Sequence, residues 1–322
     1  MPSNKTHQKI YGCKVSIIIP VKNMGDKLAH CLDAIYSQTF SPFEVIVVDG
    51  NSTDDTVKIA KKYSATVLYE NYGTRAGANQ VGIKNAKGEY IAFTDADCIP
   101  EADWIEKLLI GMERGIVGVG GCVKNIGETV WEKSINLTQN TFLGAANSVQ
   151  GRIFGQRKYV SSISGCNSLY RKCDLLKVGG FDTNLTTAED TDLNRKLLAY
   201  GKLLYVPDAV VIHNHGRGLM DFANRMRQYG YGRAKSFLFD LQAIPPLLAL
   251  IAIITLLINF NIFIYMIACY IILIAIYTVV LFLFNPKAIY LFTIPVVYLI
   301  EHVFYAIGFW IGISSKIMEK VN

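Results

Sequence analysis

From Leu241 to Phe284 the chain carries no Asp, Glu, Lys, Arg or His, a run of 44 residues. One membrane crossing takes about 20 apolar residues, so this run is long enough for two. Asn259-Phe260-Asn261 is the natural hairpin between them, and Asn285-Pro286-Lys287 ends the run. Ala288 to Ile313 makes a third candidate, interrupted by Glu301-His302. The competing reading is a buried helical domain in water, but such helices rarely reach this length without charge. The expectation is a membrane region over residues 241–322, with helices at about 244–260, 262–284 and 288–313. Glu301 and His302 should then face protein or water, because an ionisable side chain in lipid is costly. Three crossings put the C-terminus on the far side, where Lys316 and Lys320 run against the positive-inside tendency.

Residues 1–240 hold nearly all the charge and show the turns and alternating patterns of a water-facing domain. Residues 1–13 read as a polar tail. Met1 to Lys14 lacks the apolar core of a signal peptide, so the first 240 residues are expected in the cytosol. Cys13, Cys31, Cys98, Cys122, Cys166, Cys173 and Cys269 are scattered, with no Cys-x-x-Cys pair. That spacing argues against a zinc site and against a disulfide framework. The sequons at Asn51, Asn136 and Asn184 are expected to stay unmodified in that compartment. The net charge of +6 is modest, but its placement is informative. Arg217, Arg225, Arg227, Arg233 and Lys235 precede the first apolar run, so residues 217–240 read as a basic amphipathic segment beside the membrane. Such residues mark the cytosolic side and attract anionic lipid headgroups. No nucleic-acid fold signal accompanies them, and no nucleic-acid partner is expected.

Between residues 14 and 216 strand and helix patterns alternate. Val15–Val21, Phe43–Val48, Ala65–Tyr69 and Tyr90–Thr94 read as strands. Lys27–Gln38 has helical spacing, with Leu28, Cys31, Leu32 and Ile35 on one face. Ser52 to Asp55 caps a helix through Tyr63, and Arg75–Ala86 reads as another. Alternation of this kind predicts right-handed crossovers and a mostly parallel, Rossmann-like sheet flanked by helices. After Asp97 the pattern changes. A helix is expected over Trp104–Met112, a strand over Ile116–Lys124 and a mixed segment over 128–150. Gly179 to Asp182 is a turn, and Ala188 to Asp192 opens a helix through Tyr200, where acids suit the helix N-terminus. Leu203–Val206 and Ala209–Ile212 read as two short strands.

Two of the apolar strands end in carboxylates. Val45 to Val48 runs into Asp49, and Tyr90 to Thr94 runs into Asp95-Ala96-Asp97. In an open parallel sheet, ligands bind at the carboxyl ends of the strands. Two carboxylates in Asp-x-Asp can hold a hard divalent cation, which can hold a diphosphate; Mg2+ and Mn2+ both fit. The plainer reading of the same residues is a helix cap. Asp49 is a candidate hydrogen-bond partner for a nucleotide base or ribose, or else an Asx turn into Gly50. Arg75 has no acidic partner in its own helix and is a candidate for a phosphate contact.

The runs Val15-Ser-Ile-Ile-Ile-Pro-Val-Lys-Asn23, Val47-Val-Asp-Gly-Asn-Ser-Thr-Asp-Asp-Thr56 and Asn85-Ala-Lys-Gly-Glu-Tyr-Ile-Ala-Phe-Thr-Asp-Ala-Asp97 come in order, followed by Gly179-Gly-Phe-Asp182 and Glu189-Asp190. This series resembles the motifs of family 2 glycosyltransferases, over about residues 14–235. The resemblance implies a GT-A catalytic domain, here residues 14–216, and an inverting mechanism with a UDP- or GDP-sugar donor. It implies that Asp49 contacts the nucleotide, that Asp95 and Asp97 form the metal and diphosphate site with Mg2+ or Mn2+, and that Asp190 is the catalytic base. Glu189 is assigned to orienting, and Pro20 and Arg75 join Asp49 and Asp95 as candidate nucleotide-sugar-binding residues. His213 or His215, in Val-Ile-His-Asn-His, sits where many relatives keep a histidine, and is a further metal candidate.

One departure matters. Processive relatives carry Gln-x-x-Arg-Trp before a membrane span, whereas Gln228-Tyr229-Gly230-Tyr231-Gly232 keeps the Gln and lacks the Arg-Trp pair. That favours addition of a single sugar. A polyprenyl phosphate acceptor would already be anionic and need no base, so Glu189-Asp190 points to a hydroxyl on a lipid-linked glycan. The expected protein is a multi-pass membrane enzyme with a cytosolic catalytic domain and a lipid-linked or membrane-proximal acceptor. Two alternatives stand: a polyprenyl-phosphate sugar synthase, and a catalytically inactive transport or scaffold protein. The complete set of acidic motifs argues against the second.

Overall fold

The computed structural model describes residues 15–214, 216, 218–236 and 241–321. In chain order the elements are β1 Val15–Val21, α1 Gly25–Tyr36, β2 Phe43–Asp49, α2 Thr56–Ala60, β3 Thr66–Tyr69, α3 Arg75–Asn85, β4 Tyr90–Phe93, β5 Cys98–Pro100, α4 Trp104–Ile110 and β6 Ile116–Ile126. Then come α5 Val130–Gln139, α6 Phe142–Ala145, β7 Lys158–Val160, β8 Ser168–Arg171, α7 Lys172–Lys177, α8 Glu189–Leu197 and β9 Lys202–Asn214. Four helices follow: α9 Leu219–Lys235, α10 Ile244–Ile258, α11 Phe260–Phe284 and α12 Tyr290–Val321. They divide between two compact units, bounded as Met1–Asn125 with Ile153–Asn214 and as Ile126–Arg152 with His215–Asn322.

The first unit is a nine-stranded mixed sheet, ordered β3-β2-β1-β4-β8-β6-β9-β5 with β7 on β9. β3, β2, β1 and β4 are parallel, with Ile18 opposite both Ile46 and Phe93. Beyond β4 the sheet continues through β8, which is antiparallel to both β4 and β6, to β9, which is antiparallel to β5 and β7. The strands are apolar on both faces because helices cover both. Ile17, Ile19, Val45 and Val47 turn to one side and pack with Leu28, Cys31, Leu32, Ile35 and Trp104. Ile18, Ile46 and Val48 turn to the other and pack with Ala76, Ile83, Leu193 and Leu197. Successive side chains of a strand alternate between faces, so one buried run supplies two cores. Gly82 lets α3 lie against β1: a Cβ there would stand 2.5 Å from the Ile18 side chain.

Several local expectations change. The helix after Ser52 ends at Ala60 and gives way to turns, short of Tyr63. The two short strands after Leu203 are one strand of 13 residues. Pro207 falls between the stretch paired with β7 and the stretch paired with β5, where an edge tolerates proline. The mixed segment over 128–150 holds two helices. α5 starts with a capping box, in which Thr129 accepts from the Glu132 amide and Glu132 reaches back to the Thr129 amide.

In the second unit, α10 and α11 are joined at Asn259, whose Oδ1 accepts from the Asn261 and Ile262 amides and so starts α11. Leu241–Ile258, Phe260–Phe284 and Tyr290–Met318 are long and apolar enough to cross a membrane. Glu301 and His302 are turned into protein. Gln139 donates to Glu301 Oε1 at 2.7 Å, and the His302 ring lies 2.8 Å from the Tyr270 hydroxyl and 3.1 Å from the Leu143 carbonyl.

Candidate active site

The acidic strand ends meet at one edge of the first unit. β1 and β2 are in register to their last residues, so Pro20 lies opposite Val48 and Val21 opposite Asp49. The loops that follow are latched together. The Asn23 amide donates to Ser52 Oγ at 2.8 Å, and the Thr53 amide donates to Asn23 Oδ1 at 2.7 Å. Asp49 is 1% exposed. Its Oδ2 accepts from the Ser52 amide, three residues on, at 2.9 Å. Its Oδ1 is buried with no hydrogen-bond partner among the described residues. A buried carboxylate oxygen without a donor is costly, so this atom suits the hydroxyl or N–H of a ligand.

Arg75 opens α3 behind its cap, Thr74, whose hydroxyl accepts from the Gly77 amide. Its guanidinium joins two distant acids. Nε and Nη2 donate to Asp95 Oδ1 at 3.0 and 2.6 Å, and Nη1 donates to Glu189 Oε1 at 2.9 Å. The premise that Arg75 lacks an acidic partner therefore holds only within its helix. Burial alone would lower its pKa, but Asp95, Glu189 and Asp190 outweigh burial and hold the guanidinium firmly protonated.

The loop before β8 closes over this cluster. A Cβ at Gly165 would stand 2.8 Å from Arg75 Nη1, and the Gly165 amide donates to Asp190 Oδ2 at 3.3 Å. Asp190 Oδ1 accepts from the Thr191 amide at 2.7 Å. Burial, and next the Glu189 charge, raise the Asp190 pKa to about 6 against the opposing pull of Arg75. The carboxylate thus titrates close to neutral pH, as a proton acceptor requires. Ala188, just before α8, adopts a left-handed backbone with φ 61° and starts the helix at this acid pair.

Asp97 has a different neighbour. β5 pairs with β9 so that Cys98 is opposite His213, which brings His213 Nε2 to 3.2 Å from Asp97 Oδ1. Burial pushes the imidazole pKa down, but the hydrogen bond to Asp97 and the charges of Cys166 and Asp95 raise it overall. His215 and Arg217 lie outside the described residues. The ligand atoms of Asp95, Asp97 and Cys98 are within 4.8 Å of one another, as are those of Cys98, Cys166 and His213. Two carboxylates and an imidazole suit a hard or borderline divalent ion such as Mg2+ or Mn2+. The hydrogen bond with Cys166 and burial hold the Cys98 thiol pKa well above the ordinary value. The convergence of two cysteines on His213 is not visible in their spacing along the chain, since strand pairing and the loop at Gly165 produce it.

The edge thus brings together Asp49, Arg75, Asp95, Asp97, Glu189, Asp190 and His213. Pro20 lies at the same end of the sheet, opposite Val48. Gly165 and Cys166, which sequence reasoning did not single out as site residues, complete the cluster.

The sequence pattern of Glycosyl transferase family 2 matches residues 16–178, just over half of the chain. The glycosyltransferase AglE of Haloferax volcanii is 27% identical over 240 residues, covering 70% of this chain and 75% of the relative. A Methanococcus voltae protein is 25% identical over 324 residues, covering 93% of this chain and 97% of its own. It is named dolichyl N-acetyl-alpha-D-glucosaminyl phosphate 3-beta-D-2,3-diacetamido-2,3-dideoxy-beta-D-glucuronosyltransferase. Among solved structures, mannosyltransferase PcManGT from Pyrobaculum calidifontis, in complex with GDP-Man and Mn2+, shares the fold with a TM-score of 0.55 at 23% identity, over 70% of this chain and 64% of that one. S. aureus TarS 1-349, in complex with UDP, gives 0.50 at 22% identity over 68% of this chain and 65% of that one. The chain thus spans just under two thirds of the length of those two solved chains. The shared architecture is the GT-A fold, and the chain belongs to glycosyl transferase family 2.

Proposed function

We propose that the chain is a membrane-seated, metal-dependent, inverting hexosyltransferase that moves one sugar from a UDP- or GDP-sugar to a hydroxyl of a lipid-linked glycan. The observation that carries this reading is the Arg75 bridge. It joins Asp95, next to Asp97 and His213, to Glu189, next to Asp190, through contacts of 2.6 and 2.9 Å. A cation-type donor set and a proton acceptor are thereby held in one cluster.

Asp49 Oδ1, at the end of β2, takes a hydrogen bond from the nucleoside, and Pro20 shapes the neighbouring wall. Asp95, Asp97 and His213 would hold Mg2+ or Mn2+, and the cation, when bound, supplies charge neutralisation for the leaving diphosphate. Arg75 positions Asp95 and Glu189 and adds positive charge beside the phosphates. Asp190 takes the proton of the acceptor hydroxyl as its oxygen attacks the anomeric carbon. The diphosphate leaves from the opposite face and the anomeric configuration inverts. Glu189 raises the basicity of Asp190 and orients the pair.

A base titrating near pH 6 serves a hydroxyl acceptor and would be superfluous for an anionic phosphate oxygen. The relative named for a dolichyl-linked N-acetylglucosaminyl phosphate acceptor supports the same choice. We assign the protein to the cell membrane, with more than one pass and its catalytic unit in the cytosol. The test is transfer by the purified full chain with Mn2+ and a panel of UDP- and GDP-sugars, using a synthetic polyprenyl-phosphate sugar and free polyprenyl phosphate as competing acceptors. A product of inverted configuration on the sugar hydroxyl is expected. Transfer to the free phosphate alone, or retention of configuration, would overturn the assignment.

A further inference from the structure

The three apolar helices are not equivalent. In the most apolar 18 residues of each candidate span, 11% are buried in Leu241–Ile258 and in α11, but 39% in α12. What covers α12 decides where it can sit.

On one side α12 lies against α9, backbone to backbone. A Cβ at Gly308 would stand 1.9 Å from the Arg227 carbonyl, one at Gly312 2.7 Å from the Tyr231 carbonyl, and one at Gly230 2.1 Å from the Tyr305 carbonyl. Phe222 and Met226 begin the seam against Val297, and the Lys316 ammonium donates to the Lys235 carbonyl at its far end. Contact from Phe222 to Lys235 runs along about 20 Å of helix. Yet α9 carries Asp221, Arg225, Arg227, Arg233 and Lys235, with Asp221, Asn224, Arg227 and Gln228 exposed. On a second side α12 is held by α5 and α6: Thr293 to Ser134 at 2.7 Å, Tyr298 to Thr141 at 2.9 Å, and Glu301 to Gln139 at 2.7 Å. The exposed residues at this end include Glu128 and Lys133.

If α12 crossed a hydrocarbon core of about 30 Å, α9 would be carried through most of it with its charged face outward. Ionisable side chains avoid that placement unless they face protein or a water-filled cavity. The seam between α9 and α12 leaves no room to slide one past the other, because the glycines place backbone against backbone.

We propose that α12 does not cross. It lies at the cytosolic surface of the bilayer, and only the α10–α11 hairpin passes through. The lipid contact of α12 is the exposed stripe Phe292, Leu299, Val303, Ile307 and Ile311, spaced seven, four, four and four residues apart on one helix face. The partner is the headgroup layer of an anionic bilayer, which the basic residues of α9 and Lys316 complement in charge. With two crossings in place of three, the C-terminus returns to the cytosolic side. Lys316 and Lys320 then obey the positive-inside tendency that three crossings violate.

The experiment uses the full chain in bacterial cells. Fusions after Asn322 to green fluorescent protein and to alkaline phosphatase report the side of the C-terminus. Asn261→Cys at the hairpin tip and Ser314→Cys on α12, both exposed positions, are probed with a membrane-impermeant maleimide against the parent chain, which keeps its own cysteines. Expected are a fluorescent fusion, an inactive phosphatase, labelling of Asn261→Cys on intact cells, and labelling of Ser314→Cys only once the membrane is opened. An active phosphatase, or Ser314→Cys labelled on intact cells, would establish a third crossing. Failure of Asn261→Cys to label from outside would show that the hairpin does not pass through. None of these readouts depends on sugar transfer, so the placement of α12 and the proposed chemistry fail separately.

Discussion

Glu189 and Glu301 are both buried glutamates, and their surroundings separate the two units. Glu189 Oε1 accepts from the Arg75 guanidinium at 2.9 Å, within a cluster that includes Asp95 and Asp190. Glu301 Oε1 accepts from the Gln139 amide at 2.7 Å, and its Oε2 has no hydrogen-bond partner among the described residues. In the first case charge meets charge, so several carboxylates can crowd one edge, as the proposed cation and proton sites require. In the second a carboxyl group meets only a dipole, and it serves to tie α12 to α5. The difference teaches that a buried acid marks chemistry when a fixed cation gathers further acids around it, and marks packing when it does not.

The largest effect that could break this contrast is expected at Asp97. Asp97→Ala should lower transfer by a factor on the order of 10³ and remove Mn2+-dependent donor binding in a chain that still folds, with some loss of melting temperature because buried His213 loses its partner. Titration of a fluorescent nucleoside diphosphate with and without Mn2+ checks this, and full transfer in the presence of chelator would refute it. Next comes Arg75→Lys, which keeps the charge and loses the fork that reaches Asp95 and Glu189 together. Turnover should fall about tenfold while donor affinity moves less. Steady-state kinetics separate the two, and an unchanged kcat would show that the bridge is only structural. The smallest effect is expected in the second unit. Glu301→Gln keeps shape and an acceptor for Gln139, so turnover should stay within about twofold and stability within about 1 kcal/mol. A large loss of kcat in a folded Glu301→Gln enzyme would erase the contrast.

Much of the first unit is legible in the chain. β1, β2 and β4 announce themselves as apolar runs, the last two stopping at carboxylates, and α1 and α3 read as helices. What escapes the sequence is tertiary. β5 and β7 are only three residues long and exist because β9 gives them an edge. Pro207 reads as a break, but it falls in a gap between strand partners. Arg75 finds its acids 20 and 114 residues away, so a search within its helix could not reveal them. His213 and His215 look alike in sequence, and only the register of β9 against β5 places His213 beside Asp97. Likewise α12 has the composition of a span, whereas its neighbours carry the charges that argue against one.

The most direct test of the account is the pH dependence of transfer to a neutral hydroxyl by the wild type and by Asp190→Asn. A general base must be deprotonated to act, and burial and Glu189 raise the Asp190 pKa to about 6. In the wild type, kcat/KM should therefore rise about tenfold per pH unit up to about pH 6 and level off above it. In Asp190→Asn that rising limb should vanish and turnover should drop by a factor on the order of 10² or more, with donor affinity retained. Glu189→Gln should keep a rising limb but move it to lower pH, since the Glu189 charge helps raise the Asp190 pKa, and should lose less turnover. An Asp190→Asn enzyme that transfers at the wild-type rate, with the same limb below pH 6, would contradict the assignment of Asp190 as the base.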